Sequence, residues 1–135
     1  MLERVNDKHY CMQRVHTDSA PAAIGPYSQA MISDMTVYTS GQIAINPATG
    51  NIEAKDIKGQ TEQVMKNIGE ILEAAGATYD TTVKTVCYLK NIGDFAVFNE
   101  IYEKYFTSKP ARSCVEVSAL PKNALVEVEV IAKHK

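Results

Sequence analysis

Cysteine is scarce in this chain of 135 residues, and Cys11, Cys87 and Cys114 are odd in number and widely spaced. That argues against a disulfide framework of the kind that staples small secreted domains, and it fits a reducing compartment. Histidine is equally sparse. His9, His16 and His134 sit near the ends of the chain with no CxxC or HxxxH spacing, so a zinc site has no ligand set to build on. No run is long and apolar enough to span a bilayer. The segment Met1 to Arg14 mixes Glu3 and Asp7 with Arg4 and Lys8, which gives neither a signal-peptide core nor an acid-free transit peptide, so the expected address is the cytosol. Charge of one sign never accumulates. Fourteen Lys and Arg against sixteen Asp and Glu leave a net charge of −2, which disfavours electrostatic capture of nucleic acid or an anionic membrane.

What is present is the composition of a packed protein. Hydrophobic residues make up 45% and charged residues 22%, so a core is expected, and a chain of this length needs only one. Residues 1–13 carry no clear periodicity and are read as an extension of unknown order; residues 14–135 are read as a single domain.

Two segments have helical period. From Asp56 to Ala75 the apolar residues Ile57, Val64, Ile68, Ile71, Leu72 and Ala75 recur at spacings of three and four, and Gly76 supplies a stop. From Asp94 to Phe106, Phe95, Phe98, Tyr102 and Tyr105 fall on one stripe, with Asp94 placed to cap it. Strand character marks Thr36–Ile45 and Val83–Lys90, with a turn at Asn46–Gly50 between them, and then Ser113–Val117 and Ala124–Lys133, joined as a pair around Pro121–Asn123. This order predicts an α+β fold in which two helices pack on one face of a mixed β-sheet. In the last strand Val126, Val128 and Val130 share one face, assigned to the helices; Glu127, Glu129 and Ile131 share the other. Nothing in the chain remains to cover that second face, and an oligomer is the natural cover.

Chemistry concentrates in Pro110-Ala111-Arg112-Ser113-Cys114 at the mouth of a strand. An arginine there can aim its planar fork at a carboxylate with two parallel hydrogen bonds, or it can be a surface arginine paired with a nearby acid. Glu127 and Glu129, two apart on a strand, point the same way; in a confined site their repulsion raises one pKa and yields a group able to exchange protons near neutral pH. One of them is expected to reach the Arg112 pocket. Gly41, inside Thr39-Ser40-Gly41-Gln42, marks a bulge or a place where a ligand meets the backbone. Tyr27, in Ile24-Gly25-Pro26-Tyr27-Ser28-Gln29, offers a ring and a hydroxyl. Cys114 has no histidine in a partner position and is read as a wall residue rather than a nucleophile.

Together these blocks resemble the reactive intermediate deaminase (Rid, YjgF-like) family, also labelled L-PSP endoribonucleases. The resemblance runs from Arg14 onward. It is carried by Ala20-Pro21-Ala22-Ala23-Ile24-Gly25-Pro26-Tyr27-Ser28-Gln29, Ser40-Gly41-Gln42, Glu73-Ala74-Ala75-Gly76, Pro110-Ala111-Arg112-Ser113-Cys114-Val115-Glu116-Val117, Leu120-Pro121-Lys122 and Val126-Glu127-Val128-Glu129. It implies a chorismate-mutase-like subunit in a homotrimer with a cleft at each interface. It also implies hydrolytic deamination of enamines and imines such as 2-aminoacrylate to 2-keto acids and ammonia, with no cofactor and no metal. Carried onto this chain, it makes Arg112 the carboxylate clamp, aided by the backbone near Gly41. Glu127 orients or activates water, the Cys114 backbone meets the reacting nitrogen, and Tyr27, Ser40 and Asn99 shape the pocket. The connection Thr107-Ser108-Lys109 is shorter than in many members, which bears on the pocket rim. Two other readings stand beside this one: an endoribonuclease acting on single-stranded RNA, and a trimer that binds a small carboxylate without turnover.

Overall fold

Asp56 starts the first helix as its sequence position predicts. Its carboxylate accepts the Gly59 amide at 2.9 Å, and α1 runs from Ile57 to Ala74. Val64, Ile68, Ile71 and Leu72 are fully buried along one stripe, and the chain leaves the helix through Gly76 at φ +78°, a left-handed turn that favours glycine. The second helix, α2, spans Phe95–Tyr105. Its buried stripe is Phe98, Ile101 and Tyr102, continued by Phe106, while Phe95 lies at the margin and is 37% exposed. Asp94 precedes α2 but makes no side-chain cap bond, because a short 3₁₀ turn, Ile92–Asp94, already leads into the helix. The computed structural model describes residues 1–6 and 12–135; Cys11, His9 and the rest of 7–11 lie outside the described residues.

Seven strands among the described residues form one sheet: β1 (Leu2–Asn6), β2 (Met12–Val15), β3 (Ala30–Ser33), β4 (Thr36–Thr39), β5 (Thr82–Leu89), β6 (Ala111–Glu116) and β7 (Val126–Lys133). Their spatial order is β1-β2-β3-β4-β7-β5-β6, antiparallel throughout except for the parallel pair β5 and β6. Val126, Val128, Val130 and Ala132 of β7 are buried under α1, and Thr85, Cys87 and Leu89 of β5 share that face. Both helices therefore pack on one face of a mixed sheet, the expected α+β arrangement. The other face carries Met31, Tyr38, Ile131, Tyr88, Glu127 and Glu129 and has no covering layer among the described residues.

Three strand expectations change. Ser113–Val117 and Ala124–Lys133 are not a hairpin pair, since β5 inserts between β6 and β7. The predicted strand Thr36–Ile45 stops at Thr39 and touches β7 again only at Gln42, opposite Val128. Between Tyr38, opposite Ile131, and Gln42 the register slips by one residue, so Thr39–Gly41 is a bulge. Finally β3 and β4 form a hairpin through Asp34 and Met35, both at positive φ (47° and 73°). Such a turn is common for two-residue hairpin loops, but Met at its second position hides it from sequence. The N-terminal stretch also joins the sheet, with β1 lying antiparallel to β2 and Arg14 paired to Glu3 at 3.0 Å.

Candidate functional site

The edge strand β6 carries Arg112. Arg112 sits opposite Thr85, a fully buried residue of the helix face, so its side chain turns toward α2 while Ala111 and Ser113 are exposed on the other face. Pro110 leads into the strand, following a tight connection in which the Lys109 amide donates to Phe106 O and Lys109 holds φ +57°. Under α2 the guanidinium meets three groups. Nη1 donates to Asn99 Oδ1 at 2.6 Å, and the guanidinium carbon lies 4.8 Å from the Tyr102 ring centroid and 5.4 Å from that of Phe95. Among the described residues no carboxylate pairs with it. A half-buried guanidinium held by aromatic faces and an amide oxygen, without a counter-ion, is built to receive an anion. Cys114 follows on the same face; burial pushes its thiol up, against the pull of Arg112, which suits a wall residue rather than a nucleophile.

A cavity of about 460 Å³ opens elsewhere, lined by Tyr27, Gly41 and Glu127 together with Ile24, Gln29, Ile43 and Lys122 among others. The bulge explains how Gly41 and Glu127 come together. Gln42 and Val128 exchange two backbone hydrogen bonds of 2.9 and 3.1 Å, and this clamps the Gly41 Cα against the neighbouring Glu127 side chain. A Cβ on residue 41 would lie 2.5 Å from Glu127 Oε2 and 2.8 Å from its Cδ, so the glycine lets the carboxyl end of Glu127 pack directly on the backbone, where a methyl group would push it aside. Glu127 is raised above the usual carboxylate range, first by burial and then by the charge of Glu129. The two acids are treated differently. Glu129 accepts the Tyr88 hydroxyl at 2.6 Å, and that bond pushes Tyr88 up to about 12. Glu127 has no such partner among the described residues and stays free to exchange a proton.

Several supporting residues were not apparent in the sequence. Gln29 is buried and ties down the cavity wall: its Nε2 donates to Thr17 O (3.0 Å) and Pro21 O (2.8 Å), and its Oε1 accepts the Thr17 amide (2.8 Å). A glutamine following a turn gives no sign of that role. Lys122 reaches the cavity from a 3₁₀ turn where it adopts φ +56°, and the Leu120-Pro121-Lys122 block is the one sequence signal for it. Ser40 is used differently from expectation. Its hydroxyl donates to Ser28 O at 2.5 Å and its amide to Gln29 O, so it anchors the bulge and is not among the cavity walls.

The fold thus gathers Arg112, Asn99 and Cys114 in one place, and Tyr27, Gly41 and Glu127 in another. It does not bring the two sets together within a chain. Along the row β7-β5-β6, Glu127 aligns with Tyr88 and Val115, whereas Arg112 aligns with Thr85 and Val130. Successive side chains alternate between faces, so the acid and the arginine face opposite sides of the sheet and neither strand acid reaches Arg112. Among the described residues no group of three or more His, Cys, Asp and Glu is placed to hold a metal ion, and no helix is long and apolar enough to cross a membrane.

Comparison with known proteins adds an independent line. Residues 17–134 match the family model described as Endoribonuclease L-PSP. A Lactococcus lactis protein provisionally named regulator AldR is 54% identical, covering 92% of this chain and 99% of its own. The Homo sapiens 2-iminobutanoate/2-iminopropanoate deaminase is 46% identical over 87% of each chain. The crystal structure of YyfA from Yersinia pestis, a protein of the Rid family, superimposes with a TM-score of 0.89 at 52% identity, covering 91% of this chain and 99% of that one.

Proposed function

The chain belongs to the Endoribonuclease L-PSP family, and from that premise we propose that it hydrolyses reactive enamines and imines of small 2-amino acids to 2-keto acids and ammonia. The observation that carries the reading is a pair of uncompensated charges: a guanidinium cradled without a counter-ion, and a carboxyl raised by burial beside Gly41. A substrate with a carboxylate at one end and an imine carbon at the other needs that pair. The two charges lie on opposite faces of one sheet, so a second copy has to bring its Glu127 side to the Arg112 of the first. The uncovered sheet face supports such an assembly, and a homotrimer with interface clefts is its proposed form, built from residues 14–135.

In this site Arg112 holds the substrate carboxylate through two parallel hydrogen bonds, with the Gly41 amide beside it. An imine carbon is already electrophilic, so the site has only to position water and manage protons. Glu127, poised by its raised pKa, takes a proton from water as oxygen bonds to that carbon. Starting from the N-protonated imine, this gives a neutral carbinolamine; Glu127 then passes the proton to its nitrogen and takes the hydroxyl proton as the C–N bond breaks, releasing ammonia and the keto acid. Cys114 contacts the nitrogen through its backbone; Tyr27 and Asn99 shape the pocket, and Ser40 acts one step back, anchoring the bulge that presents Gly41. No cofactor enters the scheme, and the unpaired thiols Cys87 and Cys114 support action in the reducing cytosol.

The test generates 2-aminoacrylate with a serine dehydratase and follows pyruvate. The wild-type protein accelerates its formation, Arg112→Ala and Glu127→Gln each lose at least about 10² of that rate, and co-refolding the two variants restores part of the activity by pairing an intact Arg112 with an intact Glu127. Near-wild-type activity in either single variant, or no recovery in the mixture, would overturn the composite site. A second reading, a trimer that binds a small carboxylate without turnover, draws on the same cradle and on the regulator name of the Lactococcus relative. It requires Glu127→Gln to leave both binding and biological effect unchanged.

A further inference from the structure

Among the described residues no acid holds Arg112, yet a long side chain on an edge strand loses its aim unless something fixes its plane. The ring that does so is Tyr102. Only 7% of Tyr102 is exposed, and its face lies 4.8 Å from the guanidinium carbon. The ring is anchored at its far end as well: the Tyr102 and Thr85 hydroxyls share a buried hydrogen bond of 2.7 Å, and the Cys87 thiol backs Thr85 at 3.8 Å. Thr85 is the residue beside Arg112 on the neighbouring strand. One residue of β5 therefore sets the ring of α2 on which the arginine of β6 rests. With Asn99 fixing rotation in the plane and Tyr102 fixing the plane itself, the remaining N–H edge has one orientation.

We propose that Tyr102, latched by Thr85, is a positioning residue that holds the Arg112 guanidinium ready for a planar carboxylate. The inference rests on the reading of Arg112 as a carboxylate clamp, and its first measurement is independent of that reading. Nitrogen-15 NMR of the Arg112 side chain reports rotation of the guanidinium, which is slow in the wild type and fast in Tyr102→Leu. Calorimetry with pyruvate as the probe then gives affinity about tenfold weaker for Tyr102→Leu. It falls about threefold for Tyr102→Phe and Thr85→Val, which keep the ring but free it from its latch and so speed Arg112 rotation less than Tyr102→Leu does. All three variants lose the same buried hydrogen bond and melt earlier. Affinity that follows the presence of the ring supports the proposal; affinity that follows melting temperature, or Arg112 signals unchanged in Tyr102→Leu, overturns it. Should Tyr102→Leu fail to fold, Thr85→Val decides, since it leaves the ring unlatched: faster Arg112 rotation supports the proposal and unchanged rotation overturns it. A wild-type protein that does not bind pyruvate would sink the clamp reading, while the NMR result would still judge the cradle.

Discussion

The Arg112 cradle and the Glu127 cavity solve opposite electrostatic problems with different materials. On the helix face a permanent cation is held by two aromatic rings and one amide oxygen, so its charge is accommodated without being neutralised. Across the sheet a titratable acid is held against bare backbone at Gly41, next to a second acid whose own charge is taken up by Tyr88. The cation cannot lose its charge, and the acid is biased toward losing its own. A binding role suits the first and proton transfer the second.

The largest break in that contrast comes from Arg112→Ala. Two charge-assisted hydrogen bonds are at stake, so kcat/KM should fall by about 10² to 10⁴ while the melting temperature barely moves, since no buried counter-ion is stranded. A large loss of stability would show instead that the cradle is a structural element. Next is Gly41→Ala. The added methyl has to displace the end of a flexible glutamate, a cheap move for stability, but a misplacement of about 1 Å can cost about 10² in rate. Activity measured beside a thermal melt separates the two, and parallel losses would argue against a positioning role for this contact.

The smallest effect sharpens the acid side. Because the folded chain holds Glu127 above the usual carboxylate range, its ionised form destabilises the fold, and that penalty grows as pH rises from the ordinary carboxylate range through the raised value. Glu127→Gln removes it. The variant should melt above the wild type at about pH 8, and the gap should shrink as pH falls through the raised value and close below about pH 4, as the wild-type acid becomes protonated in both states. A gap of constant size across that range would mean that burial of the charge is not its cause.

Much of this was legible from periodicity. Both helices and the valine face of β7 follow from spacing alone, because each is a local consequence of which side chains must be buried. The bulge at Gly41 is one of two readings of a glycine set inside a β-like run. Pairing was not legible. The turn at Pro121–Asn123 reads as a hairpin, yet β5 takes the place between β6 and β7, and sequence contains no local mark of a strand inserted from elsewhere. The hairpin β3–β4 escaped because Met35 occupies a left-handed position usually given to glycine or asparagine. For the site, residue types offer Arg112, Gly41 and Glu127 as candidates and the family resemblance assigns them to one pocket, but the face on which each stands depends on register across three strands. Ser40 shows the limit: its place in a motif marks it for the pocket, while its hydroxyl is taken up by a backbone carbonyl.

Strand β7 has a consequence for synthesis. It is the last of the described elements to leave the ribosome, yet it lies between β4 and β5 and joins them on both edges. Until it emerges, β1–β4 and β5–β6 are two half-sheets with no shared strand, and the valines that α1 covers are missing. The protein therefore folds after translation of this region rather than during it, with exposed strand edges in the interval, and a ribosome stalled before Val126 presents a nascent chain for chaperones to hold.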